Sequence, residues 1–324
     1  MNFGGKQIIK KTIKFLFVFI IFAFLGKYIF QNVTQLKEVN FEFNYLLLFL
    51  SLLICCLFLL FQYFLWHFIT KVNNCNIGLI KTLYSKGLSN FGKYIPGKIF
   101  GYAILFTAYS EEKISKREIS ICMFIDLVAS LLGSLFVVIF SILFIETPLK
   151  REVYLISIIS LLFLGIIIHP SILNFFSKVF FRKIKLNPPA IKFSYFKILK
   201  FIFLFSINWL LFALSFFVFI NAFIPLSFQS FFFTTAAVVI SGLIGFVAIF
   251  VPAGLGVREG VLSVSLAMVI PEFFAGIISL ASRIWLTIGE IIVFGIVFLI
   301  YKINNGLFVK FRNRTSPHNT IKNS

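Results

Sequence analysis

Long apolar runs separated by short polar and basic segments dominate the chain. They are Phe15–Phe30, Tyr45–Ile69, Ile119–Ile145, Val153–Ile168, Phe201–Phe223, Phe231–Val251 and Phe273–Tyr301. Each approaches or exceeds the roughly 20 residues with which a helix crosses a hydrocarbon core about 30 Å thick. None alternates polar and apolar residues over segments of about ten, as a membrane barrel would. Helices satisfy their own backbone hydrogen bonds in lipid, so the pattern predicts an all-α, polytopic helical membrane protein. A shorter run, Val261–Ile270, precedes the last one. Counted as a short, broken helix, it brings the total to about eight transmembrane helices. A re-entrant pair over 257–283 is the alternative.

The pattern is interrupted twice. The first interruption, residues 89–102, reads Ser-Asn-Phe-Gly-Lys-Tyr-Ile-Pro-Gly-Lys-Ile-Phe-Gly-Tyr. It sits inside 71–118, a stretch too apolar to be a plain loop. The second, residues 251–260, reads Val-Pro-Ala-Gly-Leu-Gly-Val-Arg-Glu-Gly. Proline removes a donor and disfavours helix at the preceding residue, while glycine permits unusual backbone angles. Unwound backbone at membrane depth survives only where protein packs around it or where it lines a wet cavity. Pro96 and Pro252 are 156 residues apart, Asp126 follows Pro96 by 30, and Arg283 follows Pro252 by 31. Interrupted segments at matching places in two halves point to a transporter's binding site and to a two-fold internal repeat. The chain is therefore one membrane domain over 1–324, with halves 1–176 and 198–302, a basic connector 177–200 and a basic tail 303–324.

Composition agrees with the membrane reading. The chain of 324 residues is 60% hydrophobic and 13% charged, whereas soluble domains run about 45–50% apolar and about 25% charged. The 48 Phe read as lipid-facing filler. A net charge of +19 invites a nucleic-acid partner, but its distribution argues against one. Of 30 Lys and Arg, 24 lie in the N-terminal segment, 71–118, 170–200 and the segment after Tyr301, and only four lie in the intervening connections. That alternation follows the positive-inside rule and places both termini in the cytoplasm, on the inner face of a bacterial cytoplasmic membrane. The basic face also attracts anionic lipid headgroups. The first apolar run exceeds a signal peptide's roughly 7–15 residues and reads as an uncleaved helix.

The candidate chemistry is sparse. In the first break, Lys93, Tyr94, Pro96, Gly97 and Lys98 would form an anion-binding cradle from freed N–H groups and flanking lysines. The alternative is an interfacial loop whose lysines snorkel to the surface. In the second, Pro252, Gly254, Gly256, Arg258 and Glu259 combine flexible backbone with adjacent opposite charges. Such charges in apolar sequence pair, line a cavity or mark a pathway. Their adjacency on a helix means that they need different partners, or a polar ligand. A structural ion pair that fixes the break is the alternative. Asp126, Arg283 and Glu290 are single intramembrane ionisable residues. Arg283 and Glu290 are seven residues apart on one helical face, too far for a direct pair. His67, His169, Trp66, Trp209 and Trp285 read as interfacial or packing residues. Cys55, Cys56, Cys75 and Cys122 fit no metal or redox spacing. Walker, zincin, nucleophile-elbow and dinucleotide motifs are missing, so neither a cofactor nor enzymatic activity is expected.

Together, Gly92-Lys93-Tyr94-Ile95-Pro96-Gly97-Lys98 and Pro252-Ala253-Gly254-Leu255-Gly256-Val257-Arg258-Glu259, with Arg283 downstream, resemble the lysylphosphatidylglycerol synthase transmembrane-region, or flippase-like domain, family. The resemblance implies a polytopic domain that moves aminoacylated phospholipid between leaflets. In bifunctional members a separate cytosolic domain attaches the amino acid, and only the membrane half is matched here. The family commonly has Gly where Ala253 stands, and often a Glu-Arg pair where Met123-Phe124 stand. The expected function is binding and translocation of a phospholipid or lipid-linked headgroup. Lys93, Lys98 and Arg258 would hold its phosphate, and Glu259 would organise Arg258 or meet a cationic headgroup. The expected partners are anionic or phosphate-bearing membrane lipids, with a homo-oligomer or a partner synthase or transferase as further options. The alternatives are an accessory subunit or intramembrane enzyme of lipid-linked amino-acid or sugar transfer, and a small-anion secondary transporter.

Overall fold

Asn44 opens the first described helix. Its side chain accepts a hydrogen bond from the Leu47 N–H at 3.1 Å, satisfying one orphan donor of the helix N-terminus. The computed structural model describes residues 43–94, 99–145, 150–167, 169–183, 195–248, 251 and 254–315. Among them are α1 (Tyr45–Val72), α2 (Leu79–Phe91), α3 (Ile99–Ser110), α4 (Lys116–Leu143) and α5 (Lys150–Ile167). Then follow α6 (Pro170–Lys183), α7 (Tyr195–Asn221), α8 (Ser230–Val247), α9 (Val257–Leu266) and α10 (Glu272–Thr315). The described residues form no strand, and the protein is an all-α, polytopic membrane protein.

Five helices are long and apolar enough to cross a membrane: α1, α4, α7, α8 and α10 as far as Asn304. The run Phe15–Phe30 lies outside the described residues. Helix α5 occupies the run Val153–Ile168 but has only 18 residues, and Lys150, Arg151 and Glu152 open it. Helices α2, α3 and α9 have 13, 12 and 10 residues. At about 1.5 Å per residue they reach 15–20 Å, half a bilayer or a little more.

The contacts between helices define their directions. We call the face where α1 begins upper and the face where it ends lower. Helix α7 runs antiparallel to α1: the Asn44 N–H donates to Ala222 O at 3.1 Å, and the Phe58 and Phe212 rings meet at 5.0 Å. Helix α10 runs parallel to α1, because Trp285 Nε1 donates to Ser51 Oγ at 3.1 Å and Gly289 packs on Cys55. Helix α4 runs with α7: Gly133 packs on Phe205, and the Phe144 and Phe232 rings stack beside the upper ends. Gly133 and Gly289 each lie 17 residues into their helices, and α4 and α10 begin 156 residues apart. Small residues at both positions let neighbouring helices approach closely.

Between these spans lie two hairpins. Helices α2 and α3 form one that opens on the lower face, where Lys81 pairs with Glu111 at 3.2 Å and Glu112 at 2.8 Å. Burial alone would lower the Lys81 pKa, but the bonds to Glu112 and Glu111 outweigh it and the net shift is upward. Near its tip, Ser89 Oγ donates to Gly101 O at 2.8 Å. Helices α8 and α9 form the other hairpin. It opens on the upper face, because α9 turns back through 267–271 into α10. The order α1, lower hairpin, α4 is thus repeated upside down as α7, upper hairpin, α10. This is an inverted-topology repeat.

Two segments carry helix that the sequence reading did not assign. The connector expected over 177–200 is helical through Lys183, because Phe175, Phe176 and Val179 give α6 an apolar face beside Lys178 and Arg182. The tail expected from 303 continues α10 to Thr315.

The lower tip depends on a backbone-to-backbone crossing. A Cβ on Gly92 would lie 2.3 Å from Gly101 N and 2.6 Å from Gly101 Cα. Gly92→Ala is expected to destabilise the purified protein by about 1–3 kcal/mol, the range for overpacking. Gly295→Ala meets nothing within 4 Å and should be neutral or stabilising by up to about 1 kcal/mol. Thermal unfolding in detergent compares the two.

Candidate functional site

The tips of the two hairpins meet against α10. Arg283, Thr287 and Glu290 lie in the middle third of its span, Glu272–Asn304. Phe58, beside the site, is the fourteenth of 28 residues in α1. The cluster is therefore at mid-depth in the membrane.

The lower tip supplies Lys93 and Tyr94 from a 3-10 turn, Gly92–Tyr94. Lys93 Nζ pairs with Glu290 Oε1. The Tyr94 hydroxyl donates to Glu290 Oε2 at 2.9 Å and lies 3.2 Å from Thr287 Oγ1. Both oxygens of this buried carboxylate are engaged.

The upper tip supplies Arg258 and Glu259. Gly254 has φ +68°, and a Cβ there would stand 2.6 Å from Gly245 O. Gly256 has φ +80°, a region L side chains rarely adopt. These two positions turn the chain sharply into α9. Glu259 Oε2 accepts from the Gly256 N–H at 2.6 Å, which closes the N-terminus of α9. Its Oε1 faces Arg283 Nη1 at 3.4 Å. Glu259 thus engages Arg283 and its own helix start; it was expected to organise Arg258 or to meet a cationic headgroup, and it forms no salt bridge with Arg258 among the described residues.

Arg258 is treated differently. It is 7% exposed, and its Nη2 is buried without a hydrogen-bond partner. Among the described residues it forms no salt bridge. Its guanidinium stands 5.9 Å from the Phe212 ring centroid. Glu259, Arg283 and Glu290 act on it electrostatically. Three cations (Lys93, Arg258, Arg283) and two carboxylates (Glu259, Glu290) leave the cluster one positive charge.

Asp126 is not part of this cluster. It pairs with Lys86 at 2.8 Å, and the Lys86 ammonium also stands 4.8 Å from the Trp66 ring. The pair ties the lower hairpin to α4, as Glu259–Arg283 ties the upper hairpin to α10. Sequence reasoning counted Lys86 as one more loop lysine. The available signal was the polar stripe Thr82, Ser85, Lys86 and Ser89, spaced as one helical face. Thr287 was also missed. Pro96, Gly97, Lys98 and Pro252 lie outside the described residues. An apolar groove of about 340 Å³, lined by Leu48, Phe49, Leu52, Phe219, Trp285 and Ile288 among others, lies on another face of α10 and contains no charge. No group of three His, Cys, Asp or Glu able to hold a metal occurs among the described residues.

The family profile of the lysylphosphatidylglycerol synthase TM region matches residues 12–293. That range contains both hairpins and every charged residue of the cluster. A search of curated proteins finds no match to the chain. With most of its length matched, the chain belongs to the lysylphosphatidylglycerol synthase TM region family, whose members are membrane proteins linked to lipid handling.

Proposed function

We propose that this protein binds a phosphate-bearing lipid headgroup between the two hairpin tips and carries the lipid from one leaflet to the other. One observation carries this reading: Arg258, a buried cation that forms no salt bridge among the described residues and whose Nη2 has no hydrogen-bond partner, stands where the tips of two opposed hairpins meet. Buried charges are normally paired, so one without a counter-charge at this junction calls for an anion that comes and goes. A headgroup has to pass mid-depth during translocation, and this is the one depth at which both hairpins present side chains to it. The lower face, which gathers Lys71, Lys81, Lys116, Arg117, Lys197 and Lys200, is the cytoplasmic one on the positive-inside rule. The lipid is moved intact, driven by a gradient or by mass action.

The test is leaflet exchange in proteoliposomes containing acyl-chain-labelled phospholipid, with dithionite reporting the outer leaflet. Reduction should proceed beyond the outer-leaflet half when the protein is present. Reduction that stops at half sinks the translocation reading. Recovery of a covalently altered lipid replaces it with an intramembrane enzyme.

A further inference from the structure

We propose that the apolar run Phe15–Phe30 of this chain seats in the upper groove between α1 and α10, as α6 seats in the matching lower groove between α7 and α4. The inverted repeat supplies the comparison. Residues of α10 follow their α4 counterparts by 156, as Gly289 follows Gly133. Residues of α7 follow their α1 counterparts by 150, since Gly133 meets Phe205 and Ile202 where Gly289 meets Cys55 and Leu52. The groove of about 340 Å³ is lined by Leu48 of α1 and by Ala281, Ile284 and Trp285 of α10, among others. Their counterparts are Ile198, Ile125, Val128 and Ala129, and all four line one small groove in the lower half of the molecule. The repeat thus carries one groove onto the other.

The two grooves differ in what covers them. Leu173 of α6 completes the lower lining, is 3% exposed, and leaves a space of about 20 Å³. No described helix covers the upper groove in this way. Ile284 is 65% exposed there, while its counterpart Val128 is half-buried. Chain order names the occupant. Helix α6 is the last described helix before α7, and the offset of 150 carries Leu173 onto Ala23, in the middle of Phe15–Phe30. That run is the last apolar one before α1, whose first two turns hold Leu48 and Leu52. Residues 31–44 can span about 45 Å when extended, so reach is not limiting. The family profile begins at residue 12, which puts the run and the groove in one domain. In lipid the gain is close packing between helices rather than exclusion of water. An acyl chain or a second copy of the protein has no equivalent in the lower groove, where a segment of the same chain is the cover. Seated there, the run holds α10 from the side turned away from Arg283, Thr287 and Glu290. The proposal stands whether or not the cluster carries lipid.

The full chain is made with the photoreactive residue p-benzoylphenylalanine in place of Phe49 or of Ile288, which line the upper groove and are 65% and 43% exposed. Each protein is irradiated in membranes and separated on a denaturing gel, and its adducts are mapped by mass spectrometry. From both positions the larger part of the adduct should lie on residues 15–30 of the same chain, in the monomer band. A probe in place of Ile125, in the lower groove, should mark α6 in the same way, and failure there removes the comparison on which the proposal rests. Ala281→Trp fills the groove from α10 and should lose most of the adduct from the Phe49 position; an undiminished yield overturns the proposal. Adducts confined to lipid overturn it and assign the groove to an acyl chain. Adducts in a dimer band overturn it and assign the groove to a second copy. Adducts on other segments, or none from either position, overturn it as well. If Ala281→Trp does not fold, the two probe positions still decide.

Discussion

On the proposed function, Arg258→Gln is expected to abolish leaflet exchange without lowering stability. This is the largest functional effect expected of any single substitution here. The two halves of the expectation have one cause. Arg258 is buried and forms no salt bridge among the described residues, so its removal orphans no carboxylate. A buried charge without a partner is itself unfavourable, and unfolding in detergent should occur at the same temperature or higher. Function moves the other way. At an effective dielectric of about 20, a cation and an anion about 4 Å apart interact by roughly 4 kcal/mol. A variant lacking the cation loses most of that, which corresponds to at least about a 100-fold drop in exchange. Dithionite kinetics in proteoliposomes and a thermal melt on the same preparation check both halves. An Arg258→Gln protein that exchanges lipid normally sinks the assignment.

The second large effect is on stability, and it is asymmetric. Lys93 and Glu290 pair across the two repeats, but the Lys93 side chain is 37% exposed and that of Glu290 only 3%. Lys93→Met strands a buried carboxylate with only the Tyr94 hydroxyl, and should destabilise by about 3–5 kcal/mol, the range for breaking a buried pair. Glu290→Gln leaves an ammonium that reaches polar surroundings more easily, and should do less. The double variant Lys93→Met/Glu290→Gln should recover much of the loss, because neither charge is then alone. Equilibrium unfolding of the four proteins forms a double-mutant cycle whose coupling energy reports the tether directly. Additive losses would mean that the pair does not hold the lower tip to α10.

Much of this architecture was legible in the chain. Apolar length disclosed the long helices, since lipid demands about 20 apolar residues per crossing. The breaks were legible because Pro and Gly are conspicuous in such runs, and Arg258, Glu259, Arg283 and Glu290 because charge is rare there. Partner choice was not legible. Lys93 and Glu290 are 197 residues apart, and nothing local in either segment names the other. For the same reason Glu259 looked like the companion of its neighbour Arg258, although adjacent helical side chains point apart and Arg283 receives it. The hairpins were hidden by length. Ten to thirteen residues fit a short span, a buried helix or a re-entrant one equally well, and only the contacts at Lys81 and Gly92 identify the fold-back.

The opposed hairpins also have an electrical consequence. Lys93 and Arg258 stand midway along the membrane-crossing helices, so the transmembrane potential acts on any charge that moves past them. Moving one elementary charge across the whole potential is work of about 2.3 kcal/mol per 100 mV. On the proposed function, with the interior negative, that work favours outward passage of a headgroup bearing one negative charge.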